Sequence, residues 1–245
     1  MLVADQLIKD FGSFRAVQGV SFTLERGEVL GFLGPNGAGK TTTMRMLAGG
    51  LEADGGSASI AGYDCTAQRL EAQSRLGYLP EGAPAYPAMT PRSFVMFGLR
   101  ARGFSGESLK RATGLALERA NLGAMADHPI GTLSKGYKRR AALAAAIAHD
   151  PAVLILDEPT DGLDPNQKDG VRQLIRDMAP EKAIIISTHI LEEVPAVCSR
   201  AIVIDQGRIL FDGTPNALAA SGPDRTVEGA FRSLTQAAAD ARGAA

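Results

Sequence analysis

Residues Gly34-Pro-Asn-Gly-Ala-Gly-Lys40-Thr41 carry the spacing GxxxxGK[ST]. They follow the apolar run Val29–Leu33 and precede helical spacing at Met44, Leu47 and Ala48, so a strand should lead in and a helix lead out. Glycines in this loop allow backbone conformations closed to larger residues, letting successive N–H groups wrap the phosphates of a nucleotide. The helix N-terminus behind them adds partial positive charge. The nucleotide-binding set read from the loop is Gly34, Pro35, Asn36, Gly37, Ala38, Gly39, Lys40, Thr41 and Thr42. Lys40 would set its ammonium against the β- and γ-phosphates, the Thr41 hydroxyl would ligate Mg²⁺, and Thr42 would reach the α-phosphate. The plainer alternative, a glycine-rich turn with an incidental lysine, is disfavoured by the complete spacing in this context.

A second constellation is Val153-Leu-Ile-Leu-Asp157-Glu158, an apolar strand ending in two acids. In open parallel sheets ligands gather beyond the carboxyl ends of the strands, so both acids should face the phosphate loop. Asp157 is expected to hold Mg²⁺ and Glu158 to polarise the attacking water as general base. Taken alone, an Asp-Glu pair is as readily a solvated strand end.

Three further stretches, Leu133-Ser-Lys-Gly-Tyr137, Gly162-Leu-Asp-Pro165 and Ser187-Thr-His189, occur in an order that resembles the ATP-binding cassette (ABC) family over most of the chain. The first is similar to the LSGGQ signature that separates this family from other phosphate-loop ATPases. The resemblance implies a head-to-tail dimer, homodimeric or with a similar ATPase, in which each ATP lies between one subunit's phosphate loop and the other's signature. Ser134 and the Gly136 amide would then meet the γ-phosphate in trans, although Ser134 could equally cap its own helix. The resemblance makes His189 a switch histidine at the γ-phosphate, catalytic with Glu158 and Lys40, and Asp164 a link between the two sites. Asp164 could instead cap the helix begun by Pro165. Phe11 occupies the place of an adenine-stacking aromatic, with Phe14 competing for that role.

The chain departs from the family pattern at three positions. Glu81, in Gly77-Tyr-Leu-Pro-Glu81, stands where the family has a glutamine that touches Mg²⁺, and a carboxylate can still coordinate magnesium. Lys135 and Tyr137 replace glycine and glutamine of the signature. With Phe231-Arg-Ser-Leu-Thr235, these departures look like ATPase subunits of bacterial ABC-2-type exporters of the multidrug and gliding-motility types.

The elements that must position these residues read as an α/β fold. It would be a P-loop NTPase (RecA-like) core with a parallel sheet, an N-terminal antiparallel β subdomain and an inserted helical subdomain at about 83–149. Alternation through Val17, Val20, Phe22 and Leu24 suggests early strands, and Gly49-Gly50 should stop the first helix. Continuous β-branched runs at Val153–Leu156, Ala183–Ile186 and Ala201–Ile204 suit a parallel sheet covered on both faces. The ATPase unit is expected over 1–220 and a C-terminal helix with a flexible tail over 221–245, the alanine-rich part from Gln236 frayed or disordered.

Composition narrows the partners. The 245 residues carry a formal net charge of −1 and no basic block, which argues against nucleic acid. Cys65 and Cys198 lie far apart without metal-ligand spacing and are expected to be buried thiols. Ala141–Ala148, the longest apolar run, is far short of the ~20 residues that cross a bilayer as a helix. A cytoplasmic protein, peripheral on the inner face of the cell membrane through separate permease subunits, is the expected setting. Ala83-Pro-Ala-Tyr-Pro-Ala-Met89 suggests a groove for a helix of such a subunit, formed by Tyr86 and Met89, while Phe94 and Phe97 are as readily core. The rivals are a non-transport ABC protein acting on DNA or ribosomes and a regulator that binds ATP without hydrolysis. The first usually has two cassettes in one chain or a long coiled-coil insertion, for which the interval from Glu81 to Leu133 is too short; the second would have lost Glu158 or His189.

Overall fold

A computed structural model describes residues 1–243. The β-branched runs form β3 (Val29–Leu33), β7 (Val153–Asp157), β8 (Ala183–Thr188) and β9 (Arg200–Asp205). Together with β6 (Leu76–Leu79) and β10 (Arg208–Gly213) they make a six-stranded sheet ordered β10-β9-β3-β8-β7-β6. Its members pair in parallel except β10, which returns antiparallel along β9. Successive side chains point to opposite faces. Val153, Ile155 and Ile185 therefore enter one core cluster, while Leu154, Leu156, Ile184 and Ile186 enter another. Covering both faces is what turns these strands into unbroken apolar runs.

A second sheet, ordered β2-β1-β4-β5, shares the first core cluster with α1 (Lys40–Leu47). It comprises β1 (Leu2–Phe11), β2 (Phe14–Leu24), β4 (Gly55–Ile60) and β5 (Tyr63–Asp64), all antiparallel. Strand β1 is hard to read from sequence because its inward set, Leu2, Ala4 and Leu7, breaks period two. Gln6 takes φ 49°, and the register slips on either side of it. Such a bulge re-aims the residues that follow. The hairpin closes with Phe11 opposite Phe14, and Arg15 Nε donates to Asp10 Oδ1 at 2.7 Å beside it.

Helix α1 ends at a left-handed glycine: Gly49 takes φ 65°, and the Gly50 and Gly49 amides donate to the Arg45 and Met46 carbonyls. Helix α2 (Arg69–Ser74) precedes β6, a four-residue strand whose Gly77 lies under α5 (Lys135–Ile147). A Cβ on Gly77 would stand 2.3 Å from the Ala146 carbonyl, so only glycine lets the helix sit that close.

Helices α3 (Pro91–Ala101) and α4 (Gly106–Arg119) pack with α5 around Val95, Leu99, Leu109, Leu117 and Leu122. α5 faces two ways, giving Ala141 and Ala144 to that lobe and Leu143 and Ile147 to the core beneath the sheet. Met89 packs against the lobe core. This corrects its expected place on the groove: its partly buried side chain packs on the lobe core and does not line the cavity that Tyr86 walls.

Beyond β7, α6 (Pro165–Met178) covers the sheet, and α7 (Val194–Val197) precedes β9. α8 (Pro215–Ser221) runs across residue 220, and α9 (Val227–Gly243) packs Val227, Phe231 and Leu234 against Leu33, Val203 and Leu218. The alanine-rich segment from Gln236 to Gly243 is therefore helical, and only residues 244–245 of the expected tail lie outside the described residues. Cys65 is buried, while Cys198 is only partly so, with Sγ packed over Gly31; burial pushes their thiols up to about 11 and about 12. No described helix is long and apolar enough to cross a membrane.

Candidate active site

Parallel register assembles the site. Leu33 pairs with Thr188, and Asp157 with Ser187, so β3, β7 and β8 end level with one another. The segments that follow, Gly34–Gly39, Glu158–Asp161 and His189, therefore leave the same edge of the sheet. An open pocket of about 380 Å³ there is lined by Asn36, Gly37, Lys40, Thr41, Thr42, Glu81 and Glu158, with Phe11 and Phe14 at its rim. Sequence reading thus names most of the wall.

The phosphate loop is shaped by two of its glycines. Gly39 caps α1 at φ 100°, and a Cβ there would meet the Ala16 carbonyl at 2.6 Å. Gly34 has no unusual φ, but its Cβ would stand 2.4 Å from the Ile204 carbonyl. Lys40 Nζ donates to the carbonyls of Gly34 at 2.7 Å and Pro35 at 3.0 Å, which fixes the ammonium inside the loop. Burial holds its pKa below the usual lysine value, and the carboxylates of Glu158, Asp157 and Glu81 work against that. The Thr43 hydroxyl ties the helix to the loop through the Gly39 carbonyl at 2.9 Å.

Asp157 is 1% exposed. Burial raises its carboxyl above the usual range, while the nearby Ser187 and Thr41 hydroxyls and Lys40 pull it down. Its Oδ2 is buried and makes no hydrogen bond. A shielded carboxylate oxygen beside the hydroxyl of Thr41, which lines the pocket with Glu81, is the hard oxygen donor set that suits Mg²⁺.

Glu158 takes φ 51°, a left-handed conformation that costs an extended-chain residue about 1–3 kcal/mol. Its amide donates to the Ser187 carbonyl at 2.9 Å, and its Oε1 lies 2.8 Å from His189 Nδ1. The twist turns the carboxylate out of the strand toward the pocket.

The remaining sequence-identified residues lie outside this pocket. Ser134 caps α5, accepting from the Tyr137 amide at 3.4 Å, and Asp164 caps α6, accepting from the Gln167 amide at 2.9 Å. Both capping alternatives therefore hold. Gly136 packs on α6, where a Cβ would stand 2.2 Å from Gln167 Oε1. Lys135 lies across Gly162 and reaches Asp161 Oδ2 at 2.9 Å, and this contact holds the Asp161 carboxyl below its usual range. Within one chain, the signature segment does not line the phosphate-loop pocket.

Tyr86 walls a groove, as its sequence context suggests, and one further pairing has no sequence signal. Tyr86 stands edge-on to both Phe94 and Phe97, at centroid distances of 6.1 and 5.8 Å, and the three line a groove of about 500 Å³ with Ala142 and Ala145. The signal for it, apolar residues spaced three apart on α3, is the same one that marks a core face. Buried Thr160 and Glu193 meet at 2.7 Å without any sequence pattern to announce it. A larger cavity, about 870 Å³, opens at the opposite end of the sheet, but the charges on its walls pair with each other, as in Lys182–Asp150 and Arg119–Asp150.

Comparison with known proteins agrees with this arrangement. The ABC transporter family model matches residues 17–161. The Nod factor export ATP-binding protein I of Burkholderia lata is 41% identical over 211 residues, covering 86% of this chain and 69% of that protein. The linearmycin resistance ATP-binding protein LnrL of Bacillus subtilis is 37% identical over 220 residues, 89% of this chain and 70% of the relative. A solved ATP-binding subunit of an ABC transporter superposes with TM-score 0.87 at 26% identity, covering 96% of this chain and 99% of that one. This chain therefore belongs to the ABC transporter family, as an ATP-binding subunit that hydrolyses ATP.

Proposed function

We propose that two such subunits close head to tail around two ATP molecules and drive export through separate membrane subunits. The observation that carries this reading is the division of the site: Lys40 and Glu158, the latter in contact with His189, line one pocket, whereas the Ser134-capped start of α5 does not line it. A second copy would supply that helix end, whose N–H groups and partial positive charge suit a γ-phosphate. The pairing is homodimeric or with a similar ATPase, with Asp164 between the two sites. The ATPase unit spans 1–220 with the helical insert at about 83–149.

Within a subunit, the loop amides and Lys40 bind the polyphosphate, Thr42 reaches the α-phosphate, and Phe11 stacks on the base with Phe14 beside it. Thr41, Asp157 and Glu81 would hold Mg²⁺, which when bound neutralises charge on the β- and γ-phosphate oxygens. Glu158 takes a proton from the attacking water, and His189 fixes the carboxylate and the γ-phosphate in line. The groove at Tyr86, Phe94 and Phe97 receives a helix of the membrane subunit, which keeps the chain on the inner face of the membrane. Export is favoured by the two relatives, one named for Nod factor export and the other for linearmycin resistance.

The test is Glu158→Gln with ATP and Mg²⁺ in light scattering. A nucleotide-dependent dimer is expected, and a species that stays monomeric would overturn the shared site.

A further inference from the structure

We propose that Glu193 is a positioning residue that holds Glu158 and His189 in register through Thr160 and Arg172. The inference rests on the reading of Glu158 as general base. Glu193 closes the 3₁₀ turn Leu191–Glu193, four residues after His189, and is 5% exposed. Its Oε2 accepts from the Thr160 hydroxyl at 2.7 Å, and Thr160, 2% exposed, lies two residues after Glu158. Its Oε1 accepts from Arg172 on α6 at 3.1 Å, while the same guanidinium reaches Asp169 at 3.1 Å. One buried carboxylate thus ties together the segment after the general base, the segment after the histidine, and the helix behind both.

Burying a carboxylate carries a desolvation cost that pairing only offsets, so such a cluster adds little net stability. What it adds is direction. Glu158 sits at a left-handed φ of 51° that an L residue leaves unless its neighbours hold it. The Glu158 amide is held by Ser187, its carbonyl accepts from the Asp161 amide at 3.2 Å, and the Thr160 carbonyl accepts from Leu163 at 3.2 Å. Besides the Glu158–His189 contact itself, the Thr160 hydroxyl is the side-chain link from Glu158–Thr160 to the segment that carries His189. Without it the loop can relax its φ, and the 2.8 Å contact between Glu158 and His189 opens. No atom of Glu193 or Thr160 lines the nucleotide pocket, so nucleotide binding should not register the change.

Thr160→Val removes the donor at nearly constant volume, and Thr160→Ser keeps it. Thr160→Val should lower kcat by about 10- to 100-fold, the scale of a sub-ångström to ångström displacement at a reacting group, with the Kd for ATP within about two-fold of the parent. Thr160→Ser should restore kcat to within about three-fold, and adding Glu193→Gln to Thr160→Val should lower it no further than the worse single change. Should Thr160→Val fail to give a folded protein by its melting curve, Glu193→Gln is read in the same way. A kcat within about two-fold of the parent, or a Kd that weakens in step with kcat, overturns the proposal. Glu158→Gln assayed alongside separates the two readings. An active Glu158→Gln removes the general base and this inference with it, whereas an inactive Glu158→Gln beside an active Thr160→Val removes the positioning role alone.

Discussion

His189 Nδ1 stands 2.8 Å from Glu158 Oε1, a contact between groups 31 residues apart that leave neighbouring parallel strands at the same edge of the sheet. Because that carboxylate stands on a left-handed backbone, the ring is its side-chain brace on the pocket side. His189→Ala should lower kcat by about 10²- to 10⁴-fold, the range associated with a positioned acid–base group, with ATP affinity little changed. Steady-state phosphate release with a parallel nucleotide titration reads both quantities. A histidine variant with parental kcat would remove it from the reaction.

Lys40 donates to two loop carbonyls and has a third proton to offer. Lys40→Ala should weaken ATP by about 10- to 100-fold, as expected for losing a charge-assisted bond of about 1.5–3 kcal/mol. Calorimetric titration measures it, and unaltered affinity would dismantle the phosphate-loop assignment.

Glu81 brings a full negative charge to the pocket wall where an amide would be neutral. Glu81→Gln should raise the Mg²⁺ concentration needed for half-maximal hydrolysis, since a neutral oxygen holds a hard dication less firmly. A superimposable Mg²⁺ titration would remove Glu81 from the metal set.

Tyr86 is 54% exposed yet stacks edge-on against two phenylalanines, so its ring forms the outer wall of the groove. Tyr86→Ala should lose the membrane subunit in pull-down from membranes while keeping nucleotide affinity. Retention of the partner would move the docking surface elsewhere.

His149 accounts for one acid-sensitive step in folding. Its Nε2 lies 3.0 Å from the Leu76 carbonyl, and burial first, then Arg102, with Lys182 a smaller contributor, pushes its pKa from 6.5 to about 4, against the Leu76 bond and Asp150. Between those values the unfolded chain binds the extra proton. This contribution is therefore complete above pH 6.5 and is lost as pH falls toward 4. Linkage gives a loss on the order of 1 kcal/mol at pH 5.5 relative to pH 7.5. Urea midpoints of the parent and His149→Asn across this range should converge as pH falls; parallel curves would contradict the assignment.

Much of the site is legible along the chain because its parts are short and locally determined. The loop from Gly34 to Thr41 needs only its own glycines and the helix it opens, and Asp157-Glu158 needs only an apolar strand before it. Strand β1 is less legible, since the bulge at Gln6 breaks the alternation that marks a strand. Phe94 and Phe97 illustrate another limit: both lie on α3, and only its packing against α5 sets one against the lobe core and leaves the other 48% exposed. Glu192 and Glu193 are adjacent and chemically alike, yet one is in solvent and the other beneath Thr160.

By itself the sequence determined which groups are available to grip a polyphosphate and at which strand ends they emerge, because those properties follow from residue type and spacing over a few positions. Tertiary structure alone decided that β3, β7 and β8 end in register, that Glu193 reaches Thr160, and that the Ser134 helix end stays outside its own chain's pocket. Each of those depends on which distant segments share a boundary, and a boundary is set by the packing of whole faces rather than by local pattern.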